Sequence, residues 1–149
     1  MEVLDLYKTG DKELWLSQME KCDWGAGHYL AYLVKENKLF DLVGENTRVL
    51  LLAEGENLIS FCTLAKLDDV QPTDLTPWIG FVYTYPEYRG KRLAGKLLTF
   101  AEKLAKQDGA IDVYISTNHI GLYEKYGYEF FTDAKDVEGE NTRVYKKTI

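Results

Sequence analysis

Residues 85–98, YPEYRGKRLAGKLL, gather Arg89, Lys91, Arg92 and Lys96 around Gly90 and Gly95, where an apolar run gives way to helical spacing. That combination can hold phosphate. A helix start offers unpaired backbone N–H groups and the positive end of the helix dipole, glycine lets a ligand approach the backbone, and fixed cations add charge. The same residues also suit a plain basic, solvated helix start. The spacing is neither the GxxxxGK[ST] of a P-loop nor a GxGxxG placed early in a parallel unit. Taken locally, the stretch leaves both readings open.

The surrounding elements must position it. Residues 78–85, WIGFVYTY, are β-branched and aromatic, and Pro86 ends them, so they read as a central strand. After the basic stretch, Leu93, Leu97, Leu98, Ala101, Leu104 and Ala105 share a helical face that Gly109 is placed to terminate. Then come a strand at DVYIST, a short helix at HIGLYEKYG stopped by Gly127, and closing strands at YEFFTD and TRVYKK.

Before the basic stretch, residues 3–7 suit a first strand. Asp11 caps a helix whose face carries Leu14, Trp15, Met19 and Cys22, and DWGAG breaks it. A second helix is expected over 28–40, with DLVGENT as a loop. Residues 48–53 and 58–67 form an antiparallel pair about the turn Glu54-Gly55-Glu56-Asn57. The string GENTRV occurs at 44–49 and again at 139–144; its flanks do not repeat, so both copies read as the same turn into a strand.

The totals narrow the class. A chain of 149 residues is expected to form one domain, 1–149, with a core large enough to hold a cleft. A net charge of -6 argues against nucleic acid as the main partner and makes any basic cluster local. Cys22 and Cys62 lack metal-ligand spacing and read as buried reduced thiols, which fits a cytoplasmic protein; no metal is expected. MEVLDLYKTG is not a signal peptide, and no apolar run approaches a membrane span.

Three segments taken in order, WIGFVYT, PEYRGKRLAGKLL and NHIGLYEKYGY, resemble the GCN5-related N-acetyltransferase (GNAT) family, strongly in the second half of the chain and by element order alone in the first. The resemblance implies an α+β fold: a mixed, mostly antiparallel central sheet flanked by helices, in the order β-α-α-β-β-β-α-β-α-β-β. It also implies an activity, acetyl transfer from acetyl-CoA to the primary amine of an acceptor by direct attack on the thioester.

The family's cofactor motif is Arg or Gln, two residues, Gly, one residue, then Gly or Ala. Arg89 and Ala94 fill its ends, but Arg92 stands where the family has its middle glycine. By carry-over, backbone N–H groups of Arg89, Gly90, Lys91, Arg92, Leu93, Ala94 and Gly95 hold the pyrophosphate. Val82, Tyr83 and Thr84 offer a strand edge to the pantetheine amides, and Asn118 hydrogen-bonds the cofactor or caps the next helix. Tyr123 of LYEK matches the residue that donates to the CoA sulfur. A phenol near pKa ~10 suits a departing thiolate of about 8.5 to 10.

Two functions remain unassigned. The expected strand WIGFVYTY holds no carboxylate, which leaves Asp68, Asp69, Glu87 and His28 as candidate bases, each more simply read as a solvated surface group or cap, with a water chain as the alternative. For the acceptor, Asp68, Asp69 and Asp74 with Trp24, Trp78, Tyr83 and Tyr85 would suit an ammonium group through charge and cation–π contact, or form an ordinary solvated loop, and small polyamine, aminosugar, amino acid and protein amine are all open. Monomer and homodimer are both open. The alternatives are a non-catalytic acyl-CoA sensor or interaction domain of the same fold, and an unrelated α/β domain with a basic helix start.

Overall fold

The computed structural model describes every residue, Met1–Ile149. Seven strands, β1 Glu2–Asp5, β2 Arg48–Glu54, β3 Asn57–Ala65, β4 Trp78–Thr84, β5 Asp112–Thr117, β6 Glu129–Lys135 and β7 Asn141–Thr148, form one sheet in the order β1-β2-β3-β4-β5-β7-β6. All neighbours are antiparallel except β4 and β5. The helices are α1 Lys12–Glu20, α2 Gly25–Lys35, α3 Leu39–Val43 and α4 Ala94–Gln107.

Strands β2 and β3 are near-continuous apolar runs because both of their faces are covered. Val49, Leu51 and Ala53 point into a core with Leu16, Met19, Leu30 and Val34 of α1 and α2. Leu50 and Leu52 point the other way, into a core with Leu97, Leu98, Ala101 and Ala105 of α4. The alternation is the period-two rule of a strand, applied with apolar residues on both sides. At about 1.5–3 kcal/mol for each fully buried aliphatic side chain, these two layers are the main force holding β3 and β4 in place.

Local departures from expectation have local causes. The second helix begins earlier, at Gly25, and stops near Asn37, whose φ of 55° is left-handed; α3 follows where a loop was expected. Asp11 sits at the start of α1 without a side-chain capping bond. The segment read as a short helix is only a 3₁₀ turn, Glu124–Tyr126, because Gly121 and Gly127 take φ of 89° and 93° on either side and leave too few residues to nucleate an α-helix. Both GENTRV copies lead into strands, β2 and β7, from glycines of positive φ, Gly44 and Gly139.

Two features of β4 shape the site. It is registered to its parallel neighbour β5 at one pair alone, Trp78 with Tyr114, so beyond Trp78 the strands part and the β4 edge lacks a ladder partner on that side. Against β3, Phe61 faces Tyr83 and Thr63 faces Gly80, which leaves Phe81 and Val82 opposite Cys62 alone. That is a β-bulge, and Phe81 takes a φ of 51° to make it.

Candidate active site

Where β4 and β5 separate, a cleft of about 1220 Å³ opens, walled by β4, by the loop into α4, by the end of β5 and the 3₁₀ turn, and by the β3–β4 loop. One end is basic: Arg89, Gly90, Arg92, Leu93, Ala94 and Lys125 line it. Elsewhere its lining is acidic and aromatic, with Asp68, Asp69, Asp136 and Glu138 alongside Trp24, Tyr29 and Phe81, while Asp23 stands beside Arg89.

At the basic end the loop between β4 and α4 turns its backbone outward. The N–H groups of Gly90, Lys91, Arg92, Leu93 and Ala94 donate to no carbonyl and no side chain of the protein. Such a row of free donors at a helix N-terminus is an anion cradle. Arg92 answers the departure seen in the sequence: its φ of 57° gives an arginine the left-handed conformation that glycine adopts at no steric cost, so the loop keeps its turn and the exposed side chain extends away from the core. Gly95 is needed for a different reason, since a Cβ there would meet the Tyr126 ring at 2.9 Å.

Arg89 does not reach freely into the cradle. Its Nε donates to the Thr84 carbonyl at 2.8 Å, its guanidinium lies 5.3 Å from the Tyr83 ring centroid, and Asp23 is 3.7 Å away. The Tyr83 hydroxyl donates to Asp23, and Trp24 stacks on the Tyr83 ring at 5.6 Å. Arg89 thus ties the phosphate loop to the α1–α2 connection. Burial, reinforced by Asp23, pushes the Tyr83 phenol up to about 12.

Tyr123 and Asp68 also line the cleft. Tyr123 is buried, and desolvation holds its phenol protonated well above the usual value, with Cys62 and Asp68 adding to the shift. Asp68 is half-buried as a residue, but protein surrounds its carboxyl group, which is pushed up to about 7 by desolvation and then by Asp69. It lies so close to β4 that a Cβ on Gly80 would stand 1.9 Å from Asp68 Oδ1. Gly80 is therefore what admits a carboxyl group to this wall.

Most of the expected cofactor residues line the cleft: Val82, Tyr83, Thr84, Arg89, Gly90, Arg92, Leu93 and Ala94, together with Tyr123. Three do not. Asn118 donates its amide to the Asn141 carbonyl at 3.1 Å and neither caps an α-helix nor faces the cleft; the neighbouring Thr117 and His119 do face it. Lys91 and Gly95 belong to the same loop and helix start but lie outside the lining.

Of the four candidate bases, only Asp68 and Asp69 reach the cleft. His28 is exposed and bonds the Cys22 carbonyl at 2.6 Å, and Glu87 is exposed. Trp24 and Tyr83 line the acidic end as expected. Trp78 is buried in the core with its indole N–H on the Leu75 carbonyl, Tyr85 donates to the Gln18 carbonyl, and Asp74 is exposed. Asp136 and Glu138 are the residues that the sequence did not single out. Their signal was a charge run, DVEGE, in an unremarked turn; what brings it to the cleft is the Val137 N–H, which donates to the Asp69 carbonyl at 2.8 Å.

The comparisons agree with this geometry. Residues 6–128 match the model of the Acetyltransferase (GNAT) family. No curated protein matches the sequence. Among solved structures, the chain is similar to an aminoglycoside 6'-N-acetyltransferase from Enterococcus faecium, with a TM-score of 0.72 at 13% identity, covering 99% of this chain and 97% of that one. It is also similar to an acyl-CoA N-acyltransferase from Pseudomonas aeruginosa, with a TM-score of 0.66 at 23% identity and the same coverage of 99% and 97%. A GNAT family acetyltransferase from Elizabethkingia anophelis with acetyl-CoA bound gives a TM-score of 0.68 at 14% identity, again over 99% and 97% of the two chains. With the parted strands, the bulged β4 and the row of free N–H groups at α4, the chain belongs to the GNAT family of acetyltransferases, whose cosubstrate is acetyl-CoA.

Proposed function

We propose that this chain is an N-acetyltransferase, with one domain over 1–149 carrying the whole site, and that it moves the acetyl group to a primary amine by direct attack on the thioester. The observation that carries the reading is the pairing in one cleft of a buried carboxyl group, Asp68, with a buried protonated phenol, Tyr123, at the point where the β4 edge is free. The similarity to an aminoglycoside 6'-N-acetyltransferase supports transfer to nitrogen.

The balance of the step assigns the roles. A bond forms between the amine nitrogen and the acetyl carbon, and the carbon–sulfur bond breaks. One proton must leave nitrogen and one must reach sulfur. Asp68 takes the first, because a carboxyl group titrating near 7 is ionised enough to accept a proton at neutral pH and basic enough to want it. Tyr123 stabilises the departing thiolate. Its raised pKa makes it a hydrogen-bond donor first, with full proton transfer completed as the thiolate leaves the cleft. The free N–H groups of 90–94 hold the pyrophosphate, and the edge of Val82, Tyr83 and Thr84 pairs with the pantetheine amides.

The test is calorimetric titration with acetyl-CoA and with CoA, followed by thiol release against a panel of amines. Binding of both with amine-dependent release is expected. Binding without release from any amine would favour the acyl-CoA sensor, and no binding would sink the reading.

A further inference from the structure

We infer that Glu102 and Tyr128 are positioning residues for the transfer: through them α4, the helix that starts at the phosphate cradle, holds Tyr123 at a fixed offset from that cradle. This rests on the acetyltransferase reading above and deepens it by naming what aims the donor to sulfur.

Tyr123 gains little rigidity from its own segment. It precedes a single 3₁₀ turn, Glu124–Tyr126, set between Gly121 and Gly127 of positive φ. A piece that short does not hold its shape alone. Its carbonyl accepts the N–H groups of Tyr126 at 3.0 Å and Tyr128 at 3.2 Å, which closes the turn but leaves open how the turn is placed.

The placement comes from α4. Gly95 and Glu102 lie about two helical turns apart and so share one face of that helix. Both meet the segment. Gly95 lets the Tyr126 ring come so near that a Cβ would stand 2.9 Å from it, and Glu102 Oε2 accepts the Tyr128 hydroxyl at 2.8 Å. Tyr128 in turn stands edge-on to the Tyr123 ring, with centroids 6.2 Å apart and planes at 75°. The contact therefore runs from α4 through Glu102 and Tyr128 to Tyr123.

Glu102 is the only charged residue that the fold buries, at 9% exposure, and its helix neighbours Leu98, Ala101 and Ala105 are core. An apolar side chain would fill that place without the cost of desolvation, and what a carboxyl group adds is direction. Its other oxygen accepts Lys147 Nζ of β7 at 2.9 Å. Lys147 passes over Gly127, where a Cβ would meet its Cε at 3.2 Å, and lies 5.7 Å from the Tyr128 ring centroid. Glu102 thus joins α4, β7 and the Tyr123 segment at one point. A CoA held by the free N–H groups at the start of α4 has its sulfur end met by a donor fixed to the same helix, so loosening this link should act on kcat and spare cofactor affinity.

The experiment is a double-mutant cycle on the full chain. Thiol release from acetyl-CoA is followed with saturating kanamycin, tyramine and putrescine, and the variants are compared on the amine that the native chain uses fastest. Tyr128→Phe keeps the ring and removes the hydroxyl; it should lower kcat about fivefold to tenfold, with CoA affinity in calorimetry and the KM for acetyl-CoA within about twofold. In a Tyr123→Phe chain the same substitution should cost less than about twofold, because the donor that it aims is already gone. Glu102→Gln, whose amide oxygen can still accept from Tyr128, should keep kcat within about threefold of the native value. An equal loss of kcat in both backgrounds would make Tyr128 merely structural and overturn the inference, as would an effect on the KM for acetyl-CoA alone or no effect on kcat. Those outcomes leave the acetyltransferase reading intact. Absence of thiol release from the native chain with all three amines counts against both.

Discussion

At the α4 end of the cleft the groups left free for a ligand are backbone N–H donors from one unbroken segment, residues 90–94. At the other end they are carboxylates from two separated places, the β3–β4 loop and the β6–β7 turn. The first end offers what every peptide unit carries, and its side chains can vary as long as the turn is kept. The second depends on side-chain identity and on neighbours that withhold solvent. Arg92 illustrates the one, an arginine in a glycine's conformation with the cradle intact. Asp68 illustrates the other, a carboxyl group pushed up to about 7 by desolvation and then by Asp69, in a place against β4 that Gly80 leaves open.

The strongest way to break this contrast is at the basic end. Replacing Arg89 and Lys91 together with Glu places two anions beside the cradle and removes the guanidinium that lies 5.3 Å from the Tyr83 ring, next to Asp23. Acetyl-CoA affinity should fall by about a thousandfold in calorimetry. Retained binding would move the pyrophosphate elsewhere.

At the acidic end, Asp68→Asn should lower kcat by roughly a hundredfold to a thousandfold with little change in CoA affinity. In the native chain kcat/KM should rise with pH through about 7, as Asp68 loses its proton, and the substitution should remove that inflection. The same substitution should stabilise the fold. A carboxyl group whose folded pKa is raised stabilises below its unfolded pKa, and that contribution is lost as pH rises through the folded value. From about 3.8 to about 7 the loss is on the order of 2–4 kcal/mol by pH 8. The Asn variant should therefore melt several degrees higher than the native chain at pH 8 and show no such gain at pH 4. A variant both inactive and less stable at pH 8 would mean that Asp68 is structural.

Tyr123→Phe should cost about tenfold to a hundredfold in kcat, with the KM for acetyl-CoA nearly unchanged, because the ring's packing survives and only the donor to sulfur is lost. The smallest effect sharpens the comparison most. Arg92→Gly relieves a left-handed arginine and should stabilise the chain by about 1 kcal/mol, while CoA affinity changes less than about threefold. A large loss of affinity would show that the guanidinium, and not the backbone, had been holding phosphate.

Much of this molecule was legible along the chain, for reasons that differ by element. β2 and β3 were readable because continuous apolar runs bounded by a Gly-containing turn admit few alternatives, and α4 because its apolar face repeats at helical spacing. The Tyr123 segment was legible as a motif and misread as a helix, since two left-handed glycines cut it to a single turn. The Asn118 side chain takes a bond across to the start of β7 at Asn141 in place of a local cap, and partners distant in sequence leave no trace in local spacing.

By itself the sequence determined the order of the elements and the anion cradle, since both depend on contiguous residues: apolar period, turn glycines, and a helix start whose donors cannot be satisfied from within. Only the tertiary structure decided which carboxylate is withheld from solvent. Desolvation is set by what packs around a group, and for Asp68 that means Gly80 of β4 as well as its neighbour Asp69. The parting of β4 from β5 and the docking of Val137 on Asp69 are likewise contacts between distant segments, fixed by the packing of the whole sheet.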